Sequence, residues 1–134
     1  MNFNSQICTT KEQSKRLIAL GLKKEMADMA YEYKPKYLAD TDIDKDWVIV
    51  AHSPCGTDIP AWSLHRLIEM MPYDFTNNNN TYELHVTCDG AGYDDKEDMY
   101  SIVGWWRSNT YNDIIDCIEW LIKEGHFNKE YLEE

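Results

Sequence analysis

The sequence lacks the patterns by which several large classes of protein are recognised. Its four cysteines, Cys8, Cys55, Cys88 and Cys117, are widely separated and form no CxxC pair, so it has neither a zinc ribbon nor a thioredoxin-type motif. No run of about 18 apolar residues occurs, and residues 1–30 have no apolar core of a secretory signal. We therefore expect reduced thiols in a cytoplasmic protein that does not enter the membrane.

Positive charge is scarce as well. The chain has 13 Lys and Arg against 24 Asp and Glu, a net charge of −11. Sequence-independent binding to nucleic acid depends on clustered Lys and Arg that release counterions, so no direct nucleic-acid binding is expected. Residues 1–39 carry +3 and residues 40–134 carry −14. This polarity fits a basic first helix with solvated lysines on an acidic body, or a partner-binding surface.

Apolar and aromatic residues, by contrast, are plentiful. They make up 43% and 13% of the chain, with five Trp and nine Tyr, which is unlike the composition of disordered proteins. A chain of 134 residues can bury about two thirds of the surface that its unfolded form exposes. We predict a single globular domain over residues 1–134.

Two segments have apolar residues at helical spacing. Residues 110–125 form the clearer one, with Asp113 on the presumed solvent side and Gly125 at the end. The other runs from Pro60, a residue type suited to the first helical turn, to Met71. We predict that these two helices bury the stripes formed by Ile114, Cys117, Ile118 and Leu121 and by Leu64, Leu67, Ile68 and Met71.

The N-terminal region predicts two short helices joined by a tight turn. Thr9 and Thr10 each offer a capping box, and Gly21 ends the first helix. Residues 23–31 then resume helical spacing at Met26, Met29 and Ala30. Such a pair is found in DNA-reading helix-turn-helix motifs and in small peptide-binding hairpins. The second helix has acidic residues where phosphate contacts require basic ones, so a plain structural hairpin is favoured.

Two further regions predict strands. Residues 47–51 are short, β-branched and apolar. Residues 82–88 alternate between apolar and polar, with Cys88 on the apolar side. We interpret residues 77–80 as a polar linker, residues 89–98 as a Gly-rich acidic turn, and residues 99–106 as a second strand with a bulge or close approach at Gly104. The predicted fold class is α+β: a small antiparallel sheet of about three strands packed against two amphipathic helices, with an N-terminal helical hairpin.

Three patterns resemble chemical sites but do not match them. The alternating acids that begin at Asp40 resemble a calcium loop, but that loop needs Gly and Glu where Lys45 and Ala51 stand. The glycines of residues 90–92 precede a predicted strand, whereas a phosphate cradle precedes a helix. His52 and Cys55 lie close in sequence without a recognisable third group. No catalytic residue, metal ligand or cofactor is predicted.

The best contact candidates are Trp105, Trp106 and Arg107. Neighbouring strand residues point to opposite faces, so one indole is expected to pack in the core while the other is exposed beside Arg107. Trp, Tyr and Arg dominate interface hot spots and also stack on ligand rings. Arg66, in the helix predicted from Pro60, is a further candidate for binding an anion.

Three stretches, residues 7–29, 60–72 and 117–132, resemble a group of small proteins of gut anaerobes and their phages or mobile elements. The resemblance covers most of the chain except its variable middle and the Asn-rich linker. The group has no assigned activity, so the resemblance implies an origin and an accessory role, with no catalytic residue carried over.

Three functional hypotheses follow. The first is a non-enzymatic binding or interaction protein with a protein partner. The second is a protein that binds or sequesters a small molecule such as a nucleotide, with Arg107 or Arg66 at the phosphate and a homo-oligomer as one arrangement. The third is an enzyme that uses Cys55 with His52, or an acidic metal site, and it has the least support.

Overall fold

Two antiparallel sheets and three α-helices make up the parts of the chain that the computed structural model describes, residues 6–35 and 45–134. Most of the acidic alternation that begins at Asp40 lies outside these parts. Along the chain the elements are α1 (Lys11–Ala19), β1 (Met29–Pro35), β2 (Lys45–Val50), β3 (Ile59–Ala61), α2 (Leu64–Met70), β4 (Asp74–Asn77), β5 (Asn80–Thr87), β6 (Gly90–Asp95), β7 (Ser101–Gly104) and α3 (Thr110–Glu124), with 3-10 turns at Lys24–Met26 and Lys129–Tyr131.

The strands form one sheet in the order β2-β1-β3 and a second in the order β4-β5-β6-β7. Helix α3 packs on β6 and β7 and also contacts α1. Its stripe is fully buried, as predicted, in a core that α2 also enters. The largest members of this core that are wholly buried are Trp62, Tyr93, Leu17, Leu22, Leu67, Met70, Ile114, Ile115, Ile118 and Leu121.

The ends of α1 and α3 follow from local sequence. The Thr10 hydroxyl accepts the backbone N–H of Gln13, whose side chain accepts the N–H of Thr10, which is the predicted capping box. Past the end of α1, Gly21 has a φ of +103°. The side chain of Asn109 caps α3, and Gly125 ends it with a φ of +79°. Glycine takes this left-handed conformation without the steric cost of a Cβ.

The predicted N-terminal helical hairpin is wrong. After Gly21 the chain makes only the 3-10 turn Lys24–Met26 and then enters β1, the central strand of the three-stranded sheet. Helical spacing of Met26, Met29 and Ala30 suggested the second helix, but β1 pairs with β2 on one side and β3 on the other. Long-range pairing along both edges outweighs a weak local helical preference.

The helix predicted from Pro60 begins later than expected. Pro60 lies in β3, an outer strand that pairs with β1 on one side, where a residue without an N–H is tolerated. The side chain of Ser63 then accepts the N–H of Arg66 and caps α2.

The number of strands is also corrected. Residues 90–95, assigned to an acidic turn, form β6, an inner strand of the four-stranded sheet whose residues are all buried. The expected polar linker is a tight turn between β4 and β5, with Asn78 and Asn79 at φ of +51° and +71°. The fold is therefore mixed α+β, but its sheets and its N-terminal region differ from the prediction. Cys88 follows the end of β5 and is exposed, contrary to expectation.

Candidate contact surface after strand β7

The candidate site begins where β7 ends, because the chain turns there through strained backbone conformations. Trp105 and Arg107 have φ values of +61° and +59°, which bulky residues rarely adopt and which cost of the order of 1–3 kcal/mol each. The backbone N–H of Trp105 donates to Ala91 O at 2.6 Å. Gly104 just before it has no room for a Cβ, which would overlap Ala91 O. The predicted close approach at Gly104 is confirmed.

A buried carboxylate from α3 holds this turn in place. Asp113 is fully buried and accepts backbone N–H groups from Ala91 at 3.0 Å, Arg107 at 3.1 Å and Trp106 at 3.2 Å. This one side chain of α3 therefore joins the start of β6 to the turn that leads from β7 into α3. The prediction that Asp113 faces solvent is wrong.

The indole of Trp105 packs flat on β6. A Cβ on Gly92 would overlap the Trp105 ring, and one on Gly90 would lie 3.3 Å from it. The indole N–H donates to Asp94 Oδ1 at 2.7 Å. The glycines of β6 thus make room for an aromatic side chain and do not form a turn.

Asp94 connects Trp105 to a polar network on the same face of the sheet. In the β5–β6 register Glu83 lies opposite Asp94 and His85 opposite Gly92. His85 Nδ1 lies 2.9 Å from Asp94 Oδ2, and its Nε2 lies 3.2 Å from Glu83 Oε1. The hydroxyl of Ser101 also donates to Asp94 Oδ1, at 2.5 Å. Asp94 is buried and Glu83 and His85 are half-buried, whereas Ser101 is exposed.

The network favours a charged imidazole. Partial burial by itself lowers the pKa of His85, but the hydrogen bonds with Glu83 and Asp94 outweigh burial and raise that pKa above its usual value. A protonated ring donates from both nitrogens, one to each carboxylate. When the ring is protonated, charge-assisted hydrogen bonds therefore hold the face beneath Trp105.

Trp106 points the other way and is the most exposed large apolar side chain of the described residues, at 79%. Tyr100, just before β7, is exposed to 76%, and Met99 beside it to 60%. Both ends of β7 therefore present large apolar groups to solvent. One of the two indoles is thus exposed, but the other, Trp105, is half-buried on β6 and does not join the core as expected.

Arg107 is exposed but already occupied by two partners. Its guanidinium lies 4.7 Å from the centre of the Trp105 ring and its Nη1 lies 3.0 Å from Asp89 Oδ1. Hydrogen bonding from Thr87, with a smaller contribution from Arg107, lowers the pKa of Asp89. Beside this pair is an open cleft of about 450 Å³. It is lined by Gln6, Leu64, Thr87, Cys88, Asp89, Arg107, Ser108, Asn109, Thr110 and Tyr111.

Arg66, predicted as part of the same site, lies in a different set of contacts. Its Nε donates to Met26 O at 2.8 Å, and its guanidinium packs on the ring of Tyr131 at 5.7 Å. Glu69 lies 3.8 Å from its Nη1. These contacts connect α2 to the N-terminal turn and the C-terminal turn, so Arg66 acts in packing.

The geometry around Cys55 and His52 does not favour a nucleophile. Cys55 donates its thiol to Asp58 at 3.7 Å, and the charge of that carboxylate raises the pKa of Cys55. His52 contacts Ser53 O and Glu32 instead. A nucleophilic thiol needs a lowered pKa or an adjacent base. Within residues 6–35 and 45–134 no cluster of His, Cys, Asp and Glu suited to a metal ion is found.

Sequence reasoning identified Trp105, Trp106 and Arg107 but missed the side chains that hold them: Asp113, Asp94 and His85. One signal was available. Glu83 and His85 alternate with apolar residues in β5, which places them on one face. That Asp94 joins them depends on the β5–β6 register, which the sequence does not reveal.

No helix in the described ranges is both long and apolar enough to cross a membrane. A comparison of the chain with family models, curated proteins and solved structures finds no match.

Proposed function

We propose that this protein is a non-enzymatic binding protein whose contact surface, centred on Trp106, includes Tyr100 and Arg107. The observation that carries the proposal is an indole exposed to 79% on a turn of strained backbone that is fixed by buried hydrogen bonds. Trp, Tyr and Arg are the residue types most enriched in interface hot spots. A backbone fixed in advance loses little conformational entropy on binding.

The strain supports this interpretation. Left-handed conformations at two bulky residues persist only where surrounding structure enforces them, and they cluster at functional sites. Here Asp113 accepts the N–H groups of Trp106 and Arg107, and Ala91 accepts that of Trp105. An accessory role in a phage or mobile element, which the resemblance of the helical stretches implies, is part of the same proposal.

The test is affinity capture from a lysate of the source cells, with wild type, Trp106→Ala and Tyr73→Ala compared. Tyr73 is exposed to 68% and lies just before β4, at the opposite edge of the sheet from β7. It therefore serves as the matched control. We expect a defined protein that wild type and Tyr73→Ala retain and Trp106→Ala loses. Equal recovery with all three baits would remove the Trp106 surface from consideration.

A second candidate is binding of a small anion such as a nucleotide in the cleft beside Arg107. The favouring observation is its position at the capped start of α3, where Ser108, Asn109 and Thr110 line a space of about 450 Å³. Against it, Asp89 already neutralises Arg107. Thermal-shift assays with nucleotides test this candidate, because a ligand at 100 times its Kd stabilises the folded protein by about 2.7 kcal/mol. No shift at millimolar nucleotide would refute this candidate.

A further inference from the structure

Strand β7 is an outer strand of the four-stranded sheet. The order β4-β5-β6-β7 gives it a partner, β6, on one side, and no described strand pairs with its other side. A strand with one unpaired side offers a row of backbone N–H and C=O groups to another chain.

Two of the other outer strands, β4 and β3, carry features that discourage such pairing. Strand β4 begins with Asp74, which bonds Lys96 at 3.2 Å. Strand β3 contains Pro60. Charges and proline are the usual protection of sheet edges. The sequence of β7, Ser-Ile-Val-Gly, has neither.

Exposed apolar side chains flank β7 at both ends. Tyr100 and Met99 precede it at 76% and 60% exposure, and Trp106 follows it at 79%. The residues around these side chains differ in charge: Glu97 and Asp98 are exposed before β7, whereas Arg107 lies after it. The surface made of β7 and these flanking residues is called the β7 edge below.

We propose that the β7 edge pairs with the β7 edge of a second copy of this chain, antiparallel across a two-fold axis, to form a continuous eight-stranded sheet. An antiparallel two-fold arrangement brings the start of one β7 to the end of the other. Tyr100 of each copy then lies beside Trp106 of the other. Antiparallel pairing places Glu97 and Asp98 of one copy near Arg107 of the other, where they compete with Asp89 for the guanidinium. Parallel pairing would instead bring the two acidic pairs together.

The size of the surface sets the expected strength. A fully buried Trp or Tyr contributes about 150–250 Å², so four aromatic side chains about three quarters exposed contribute roughly 450–750 Å². Stable interfaces bury about 1,200–2,000 Å² in total. Backbone pairing of two four-residue strands adds to this area, but the total stays below the upper end of the range for stable interfaces. The dimer is therefore weak and reversible. This inference rests on the proposed function, since it names the partner of the same surface.

The experiment is sedimentation velocity from about 1 µM to 1 mM protein, the range that brackets weak complexes. It uses wild type, Tyr100→Lys, Trp106→Glu and the control Tyr73→Lys. Each β7-edge change removes an aromatic contact and places a charge near groups of the same sign in the second copy, Arg107 for the lysine and Glu97 and Asp98 for the glutamate. We expect wild type and Tyr73→Lys to dimerise alike and each of the other two to weaken dimerisation at least about tenfold. All three positions are exposed, so each variant should fold, and circular dichroism is the check.

A second measurement places the contact on β7. Hydrogen exchange at residues 101–104 should slow as wild-type concentration rises, and should not depend on concentration in Tyr100→Lys. A wild type that stays monomeric to 1 mM, or a dimer that neither β7-edge variant weakens, overturns the inference. A monomeric wild type whose lysate capture still depends on Trp106 overturns only the dimer and leaves the proposed function in place. A β7 dimer with no lysate partner keeps the inference and restricts the surface to self-association.

Discussion

Replacing Asp113 with Ala removes a buried carboxylate that accepts three backbone N–H groups. The Ala91 N–H is buried, so its loss of a partner costs about 1–3 kcal/mol. The N–H groups of Trp106 and Arg107 are partly buried and can bond water in the variant. The loss of each of their hydrogen bonds to Asp113 therefore costs only roughly 0.5–1.5 kcal/mol. We therefore expect the free energy of unfolding to fall by about 2–6 kcal/mol, out of the 5–15 kcal/mol typical of a domain.

Asp113→Asn provides a finer comparison. The amide keeps one oxygen that can accept N–H groups, but it turns its NH₂ toward a backbone donor. The loss should be smaller than that of Asp113→Ala, at about 1–3 kcal/mol. Both variants should also expose the turn that carries Trp106, because Asp113 ties that turn to β6 and α3.

The measurement is urea unfolding followed by Trp fluorescence, with Glu119→Ala as the control on the same helix. The side chain of Glu119 is 53% exposed and lies 3.7 Å from Arg16, so its loss should cost no more than about 1 kcal/mol. Hydrogen exchange at Trp106 and Arg107 should accelerate in the Asp113 variants alone. If Asp113→Ala costs no more than Glu119→Ala, the carboxylate does not hold the turn and the argument from it fails.

Three further predictions concern packing, pH and thiol reactivity. Gly92→Ala should push the Trp105 indole off β6 and break its bond to Asp94, lowering the free energy of unfolding by about 1–3 kcal/mol; unchanged urea midpoint and unchanged Trp fluorescence would contradict the close packing. His85 has a raised pKa in the folded state, so its stabilising contribution is complete below about pH 6.5 and is lost as pH rises through the folded pKa. His85→Gln should therefore flatten the fall in stability from neutral to mildly alkaline pH, and parallel curves for the two proteins would argue against the network. Asp58→Asn should speed alkylation of Cys55 at neutral pH, because the Asp58 carboxylate raises the pKa of that thiol; a rate equal to that of wild type would show that the carboxylate does not act on the thiol.

The accuracy of the sequence-based predictions depended on whether a feature was local. The stripe and C-terminal glycine of α3, the capping box of α1 and the alternation in β5 all depend on residues a few positions apart. The structure confirms the first three, and it confirms the alternation as far as Val86 but not at Cys88. The helix predicted over residues 23–31 was wrong because Met26, Met29 and Ala30 have helical spacing and a helical preference, although the segment leads into a strand, β1. The pairing of β1 with β2 and β3 is a long-range interaction that local spacing does not encode.

In the candidate site, too, the local features were predicted from the sequence and the long-range contacts were not. The sequence identified Trp105, Trp106 and Arg107, because aromatic and Arg residues beside a predicted strand end are visible locally. It could not reveal which residues hold them. Asp94 lies in a stretch as acidic as a surface turn. It can be buried because His85 in β5, Ser101 in β7 and Trp105 after β7 form hydrogen bonds with it.

By itself the sequence determined where α1 and α3 begin and end, the buried stripe of α3 and the acidic charge balance. Only the tertiary structure decided that Gly90 to Asp95 is an inner strand and that Asp113 is buried. The physical reason is that a polar group can be buried without a large energetic cost only where partners satisfy its hydrogen bonds, and here those partners are distant in sequence. Those partners come together only when the sheet and α3 are assembled.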